Sequence, residues 1–107
     1  SEGEPVNLEV IEGQIKSFDL DKMEITLEKC ELLKDSPLTL TKNTECYKGD
    51  LGTDIVSARG GTEFQKQDKL SLDYLKAGDY IKCNFKIKDK KFIAGRIVLV
   101  TPYIRVD

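Results

Sequence analysis

Apolar and polar residues alternate with a period of two along most of the chain, the pattern of strands that bury one face. Ile11, Gly13 and Ile15 fall on one face of a first strand, and Glu12, Gln14 and Lys16 on the other. Asp19-Leu20-Asp21-Lys22 predicts a turn, because Asp bonds its own backbone there. A returning strand sets Met23, Ile25 and Leu27 against Glu24, Thr26 and Glu28, completing a hairpin with one buried face. The phase slips near Lys29-Cys30, where Cys30 and Leu32 fall out of step with Leu27. A bulge or bend is expected at that point, as small barrels need one to close. After Ser36-Pro37, Leu38 and Leu40 alternate with Thr39 and Thr41 in a third strand, and Thr44 to Tyr47 continues it.

Residues 48–67 lose the period and are punctuated by Gly49, Gly52, Gly60 and Gly61. They are read either as one long irregular loop or, with Ile55-Val56 before Arg59-Gly60-Gly61-Thr62, as containing a small hairpin. Ser71 to Gly78 predicts one short helix of a single turn or a little more, with Ser71 as its cap and Gly78 ending it in a left-handed conformation. The strongest strand follows. Ile81, Cys83, Phe85 and Ile87 are expected to face inward, and Lys82, Asn84, Lys86 and Lys88 outward. Asp89-Lys90-Lys91 turns the chain into a return strand, Phe92 to Val100, whose internal Gly95 predicts a bulge or tight bend. Tyr103 to Val106 is read as a short edge strand.

Five or six strands and one short helix make an all-β domain, and closure into a small barrel removes the exposed edges. At 107 residues the chain holds one domain, read as a linker at 1–7 and a barrel at 8–107 with its long loop at 48–67. The polar opening Ser1-Glu2-Gly3-Glu4-Pro5 reads as a linker or a trimmed end. No apolar run approaches the roughly 20 residues that span a bilayer, and no transmembrane segment is expected.

The absence of His removes the usual general base, the commonest metal ligand and every Ser-His-Asp or Cys-His arrangement. The 3 Cys, Cys30, Cys46 and Cys83, lie too far apart in sequence for a C-x-x-C pair. They are read either as mostly buried thiols or as one disulfide with a free thiol. Asp19, Asp21 and Glu24 lack the ligand number and glycine of a calcium loop, and Glu28 and Glu31 are not placed in a cleft by anything in the sequence. No catalytic residue, metal or cofactor is therefore assigned.

The net charge of -2 hides an asymmetry: residues 1–53 carry 6 Lys+Arg and 12 Asp+Glu, whereas residues 54–107 carry 11 and 7. Lys82, Lys86 and Lys88 share a strand face, Lys90 and Lys91 sit at its tip, and Arg96 lies on the return strand. Together these six form a candidate anion-binding face. Tyr80 shares the lysines' parity and is the candidate ring for stacking a base. Exposed strand lysines also blunt edges and keep a hairpin in solution, which is the plainer explanation. Arg59 and Phe64 are candidate contacts on the long loop.

Three segments carry a resemblance. Val10-Ile11-Glu12-Gly13-Gln14-Ile15-Lys16-Ser17-Phe18 looks like a "G-x-I-x-x-hydrophobic" opening strand. Leu72-Asp73-Tyr74-Leu75-Lys76-Ala77-Gly78-Asp79-Tyr80-Ile81 looks like an "L-x-x-L-K-x-G-D-x-V" signature, and Ala94-Gly95-Arg96-Ile97 like its closing "A-x-x-I". In this order they resemble the bacterial family called domain of unknown function 5666. The resemblance implies an OB-like barrel that is exported or lipid-anchored, and implies no particular chemistry. Gly13-Gln14-Ile15-Lys16-Ser17-Phe18-Asp19 is also similar to the opening of small periplasmic copper-binding barrels. Their copper-binding His and stacking Trp have no counterpart here and the single Met23 is read as core, so the metal site does not carry over.

The combined expectation is a non-enzymatic, monomeric cell-envelope module, extracytoplasmic, that binds an unidentified protein or an envelope polyanion. The alternative is an OB-type module that binds single-stranded nucleic acid or another polyanion through the lysine-rich strand face.

Overall fold

The computed structural model describes residues 9–53, 55 and 64–102. Strands run at β1 (Glu9–Asp19), β2 (Glu24–Leu27), β3 (Leu38–Thr39), β4 (Glu45–Gly49), β5 (Lys69–Leu70), β6 (Tyr80–Lys88) and β7 (Lys91–Val100). The sheet order is β3-β2-β1-β6-β7-β4-β5, and β3 also pairs with β7. The barrel expected from the alternation is therefore present, with β1, β2, β3, β7 and β6 closing the ring. Every contact in the ring is antiparallel except β3 with β7, which is parallel, as in an OB-like plan. Strands β3 and β4 occupy successive stretches of the same edge of β7, so they act as one interrupted strand. The interruption is pinned by Thr44, whose hydroxyl donates to the Ala94 carbonyl at 2.8 Å.

β1 serves two partners. Its first half pairs with β6 up to Gln14, and its second half pairs with β2 from Ile15. The register slips between Ile15 and Ser17, leaving Lys16 as the extra residue of a bulge. The slip changes parity, so Phe18 packs on the same core as Ile11 and Ile15. At this point the Lys76–Asp79 turn docks. Gly78 N–H donates to the Ile15 carbonyl (2.8 Å), and Ile15 N–H donates to the Asp79 carbonyl (2.7 Å). Gly78 holds φ +96, a conformation that glycine reaches without a Cβ penalty. The Asp79 carboxylate accepts from the Lys76 N–H (3.0 Å) and its ammonium (3.1 Å). The "L-K-x-G-D" run is thus a turn that locks β6 to the bend of β1.

The helical turn expected within 71–78 is a single 3₁₀ turn, Leu72–Tyr74, preceded by another at Lys66–Asp68. Ser71 makes no side-chain capping bond. The phase slip at Lys29-Cys30 is not a strand bulge but a series of turns with Lys29, Lys34 and Asp35 at positive φ. It buries Leu33 at 2% exposure and leaves Leu32 47% exposed. The core holds Ile11, Ile15, Ile25, Leu27, Leu33, Leu38, Leu40, Cys46, Ile81, Cys83, Phe85 and Ile97. A second apolar layer lies outside the ring. Val98 and Val100, alternating with Ile97 and Leu99, are buried, as are Ile55 and Thr53 from the segment after β4. Leu51, Thr53 and Ile55 are bonded to Lys82 and Asn84 on the outer face of β6, so part of the outer wall is interior. The expected linker at 1–7, most of the hairpin around Ile55 to Thr62, and the edge strand at 103–106 lie outside the described residues.

Candidate anion-binding site

Two residues at positive φ, Asp89 (52) and Lys90 (66), join β6 to β7. Lys88 pairs with Lys91, so the loop is the two-residue kind whose twist matches its strands, and Asp tolerates the left-handed conformation it needs. Among the described residues, β6 pairs with β1 only as far as Phe85, opposite Glu9. The described pairing on that side ends there, and Lys86, Lys88, Lys90 and Lys91 are all exposed. No described carboxylate forms an ion pair with any of the four. Asp89 is the single acid between Phe85 and Phe92. Four ammonium groups within six residues of one hairpin make a concentrated positive potential.

The other two members of the expected face are elsewhere. Lys82 is half-buried, and its ammonium donates to the carbonyls of Leu51 (3.0 Å) and Thr53 (2.6 Å). It fastens the covering segment to β6 rather than facing an external anion. Arg96 is placed by a bulge in β7. Cys83 pairs with Ile97 and Phe85 with Ala94, so Asn84 faces both Gly95 and Arg96. The Arg96 guanidinium lies 5.0 Å from the Phe64 ring centre and 5.7 Å from that of Tyr47, and 3.6 Å from the Glu45 carboxylate. Its Nε is buried without a hydrogen-bond partner. Tyr47 and Phe64 rings are 4.6 Å apart. Arg96 therefore anchors the outer layer, and Phe64 is one of its partners. Arg59 lies outside the described residues.

Asn84, expected outward beside the lysines, points outward but is only 5% exposed. Its Oδ1 accepts from Arg96 N–H (2.6 Å), and its Nδ2 donates to the Ile55 carbonyl (3.3 Å). Tyr80, the candidate stacking ring, donates its hydroxyl to Glu12 at 2.6 Å. Ile87, expected in the core, is 63% exposed. Its parity is that of the core residues, but it lies past the end of the described β1 wall. Sequence reasoning also passed over Tyr47, Glu45 and Lys69, which meet through pairing of β4 with β7 and β5. The parity of Tyr47 relative to Cys46 is the one local signal that marks it as outward.

All three thiols are free, with Cys46 and Cys83 buried. Both stand opposite Ile97, one on either side of it. Two strand spacings separate their Cα atoms, about 9.5 Å, against a reach of roughly 7 Å for a disulfide. Burial pushes the Cys46 thiol from an ordinary 9.0 to about 12, with Asp79 adding to the shift. Burial also raises Cys83, with nearby Cys46 adding and a bond from the Gly95 backbone opposing. Held protonated, neither is a nucleophile at neutral pH. Among the described residues no three of His, Cys, Asp and Glu gather as a metal site. No helix among them is long and apolar enough to cross a membrane. No family model, curated protein or solved structure matches the chain.

Proposed function

We propose that the protein is a non-enzymatic binding module of the cell envelope that engages a polyanion through the tip of the β6–β7 hairpin. The observation that carries this reading is the grouping of Lys86, Lys88, Lys90 and Lys91, all exposed and without an ion-pair partner among the described residues. Keeping four like charges together is unfavourable for the isolated domain, and an anionic partner relieves it. Lys82 and Arg96 drop out of the interface because their charges are already used to hold the outer layer. The non-enzymatic reading is supported by the lack of His and by the raised thiols. The envelope location is supported by the resemblance of the Leu72–Ile81 and Ala94–Ile97 runs to an exported family.

The test is a titration with heparin across a range of salt concentration. Four released counterions give a slope of log K against log salt of about −3. Changing all four lysines to Gln should abolish binding, whereas Lys82→Gln should leave the slope unchanged. Salt-independent binding, or binding that survives the fourfold change, overturns the proposal. A single-stranded oligonucleotide run alongside heparin tests the nucleic-acid reading, which the scarcity of exposed rings near the tip disfavours.

A further inference from the structure

We infer that the polyanion is an anionic lipid surface and that Ile87 is the side chain that enters it, an inference that rests on the polyanion-binding reading of the same hairpin. Among the described residues Ile87 is the most exposed of the large apolar side chains, at 63%. It sits between Lys86 and Lys88 and pairs across the ribbon with Phe92. Phe92 is half-buried and packs edge-on against Phe85 at 5.5 Å. Successive strand residues point to opposite faces, so the tip carries an aliphatic group on one face and ammonium groups on the other and at the turn.

A lipid surface offers a partner to both faces at once. Headgroup phosphates attract the lysines, and the acyl boundary just beneath them accepts an aliphatic group. The flexible lysine stems let their ammonium groups stay at headgroup level while the ribbon tilts Ile87 inward. A polysaccharide has phosphate or carboxylate chemistry but no apolar layer to receive Ile87. A single-stranded nucleic acid stacks its bases on aromatic rings. The hairpin's rings are committed to the core, Phe85 at 2% exposure and Phe92 packed against it. The combination of basic tip and aliphatic side chain therefore fits lipid better than either soluble polyanion.

The test is co-sedimentation with vesicles of phosphatidylcholine alone and of an equimolar mixture with phosphatidylglycerol, with heparin affinity measured in parallel. The protein should bind the mixed vesicles and not the zwitterionic ones. Ile87→Ala should lower partitioning roughly tenfold, because several methyl and methylene groups no longer leave water, and should leave heparin affinity unchanged. Ile87→Trp should raise partitioning. Lys88→Gln should weaken both interactions about fivefold. If heparin binding is intact and lysine-dependent, but vesicles are not bound or do not sense residue 87, the lipid inference is overturned and the polyanion reading stands. If neither probe is bound, both are overturned.

Discussion

A methyl group added at Gly95 would meet Asn84 Oδ1 at 2.7 Å, closer than real Cβ contacts come. The oxygen has little freedom to retreat. It belongs to a short side chain that is 5% exposed, and it accepts from Arg96 N–H at 2.6 Å while the same amide donates to Ile55. Gly95→Ala must therefore displace the amide and weaken both bonds. Each buried hydrogen bond contributes about 1 kcal/mol and a displaced rotamer costs about another, giving a loss of about 2–4 kcal/mol. Asn84→Ala removes the same two bonds and leaves their partners unsatisfied, for a similar cost. The two changes should not add. Once Asn84 is Ala, the obstructing oxygen is gone, and the backbone of Gly95 does not occupy the left-handed region. Gly95→Ala should then be neutral, or stabilise by about 0.5 kcal/mol through the unfolded chain. Urea melts of the wild type, both single variants and the double variant measure this directly. With an m-value near 1.5 kcal/mol/M, a loss of about 3 kcal/mol lowers the midpoint by about 2 M. If Gly95→Ala costs the same in both backgrounds to within about 0.5 kcal/mol, the bulge is not held as described.

Lys82→Met should cost about 1–3 kcal/mol and speed amide exchange at Thr53, since the ammonium bonds to Leu51 and Thr53 are lost; unchanged protection there would show that Lys82 does not fasten the segment. The buried thiols predict alkaline instability. Above pH 9 the unfolded chain releases protons that Cys46 retains up to about 12, so the unfolded state binds fewer protons and stability falls with rising pH. The slope is about 1.4 kcal/mol per pH unit for each thiol, and Cys46→Ala should remove its share in melts compared between pH 8 and 10. Thiol titration of the native protein should find Cys30 first, with Cys46 and Cys83 reacting on unfolding; fast native labelling of all three would contradict their burial.

The inward face of the barrel was legible because a strand with one buried face writes its burial into parity. Ile81, Cys83 and Phe85 are each at 2% exposure or below, as their spacing predicts. The same rule misplaces Ile87 for a definite reason. Parity identifies a face, but burial also needs a wall opposite, and the described pairing of β1 with β6 ends at Phe85. Asn84 and Lys82 show the converse. Their parity is outward and correct, yet the outside is roofed there by the segment following β4, which has no period to read. Arg96 leaves the lysine cluster through a bulge that Gly95 permits, and its ring partner Tyr47 comes from a parallel pairing between positions 45–49 and 96–100. Such pairing depends on how the sheet closes, which no local window contains. The candidate site follows the same division. Local alternation supplies a row of basic residues, and closure of the barrel leaves the four at the tip without an ion-pair partner among the described residues. Of the six basic residues in the row, Arg96 lies in the bulge and Lys82 on the side of it away from the turn, and these are the two that the outer layer uses, whereas the other four lie between the bulge and the turn.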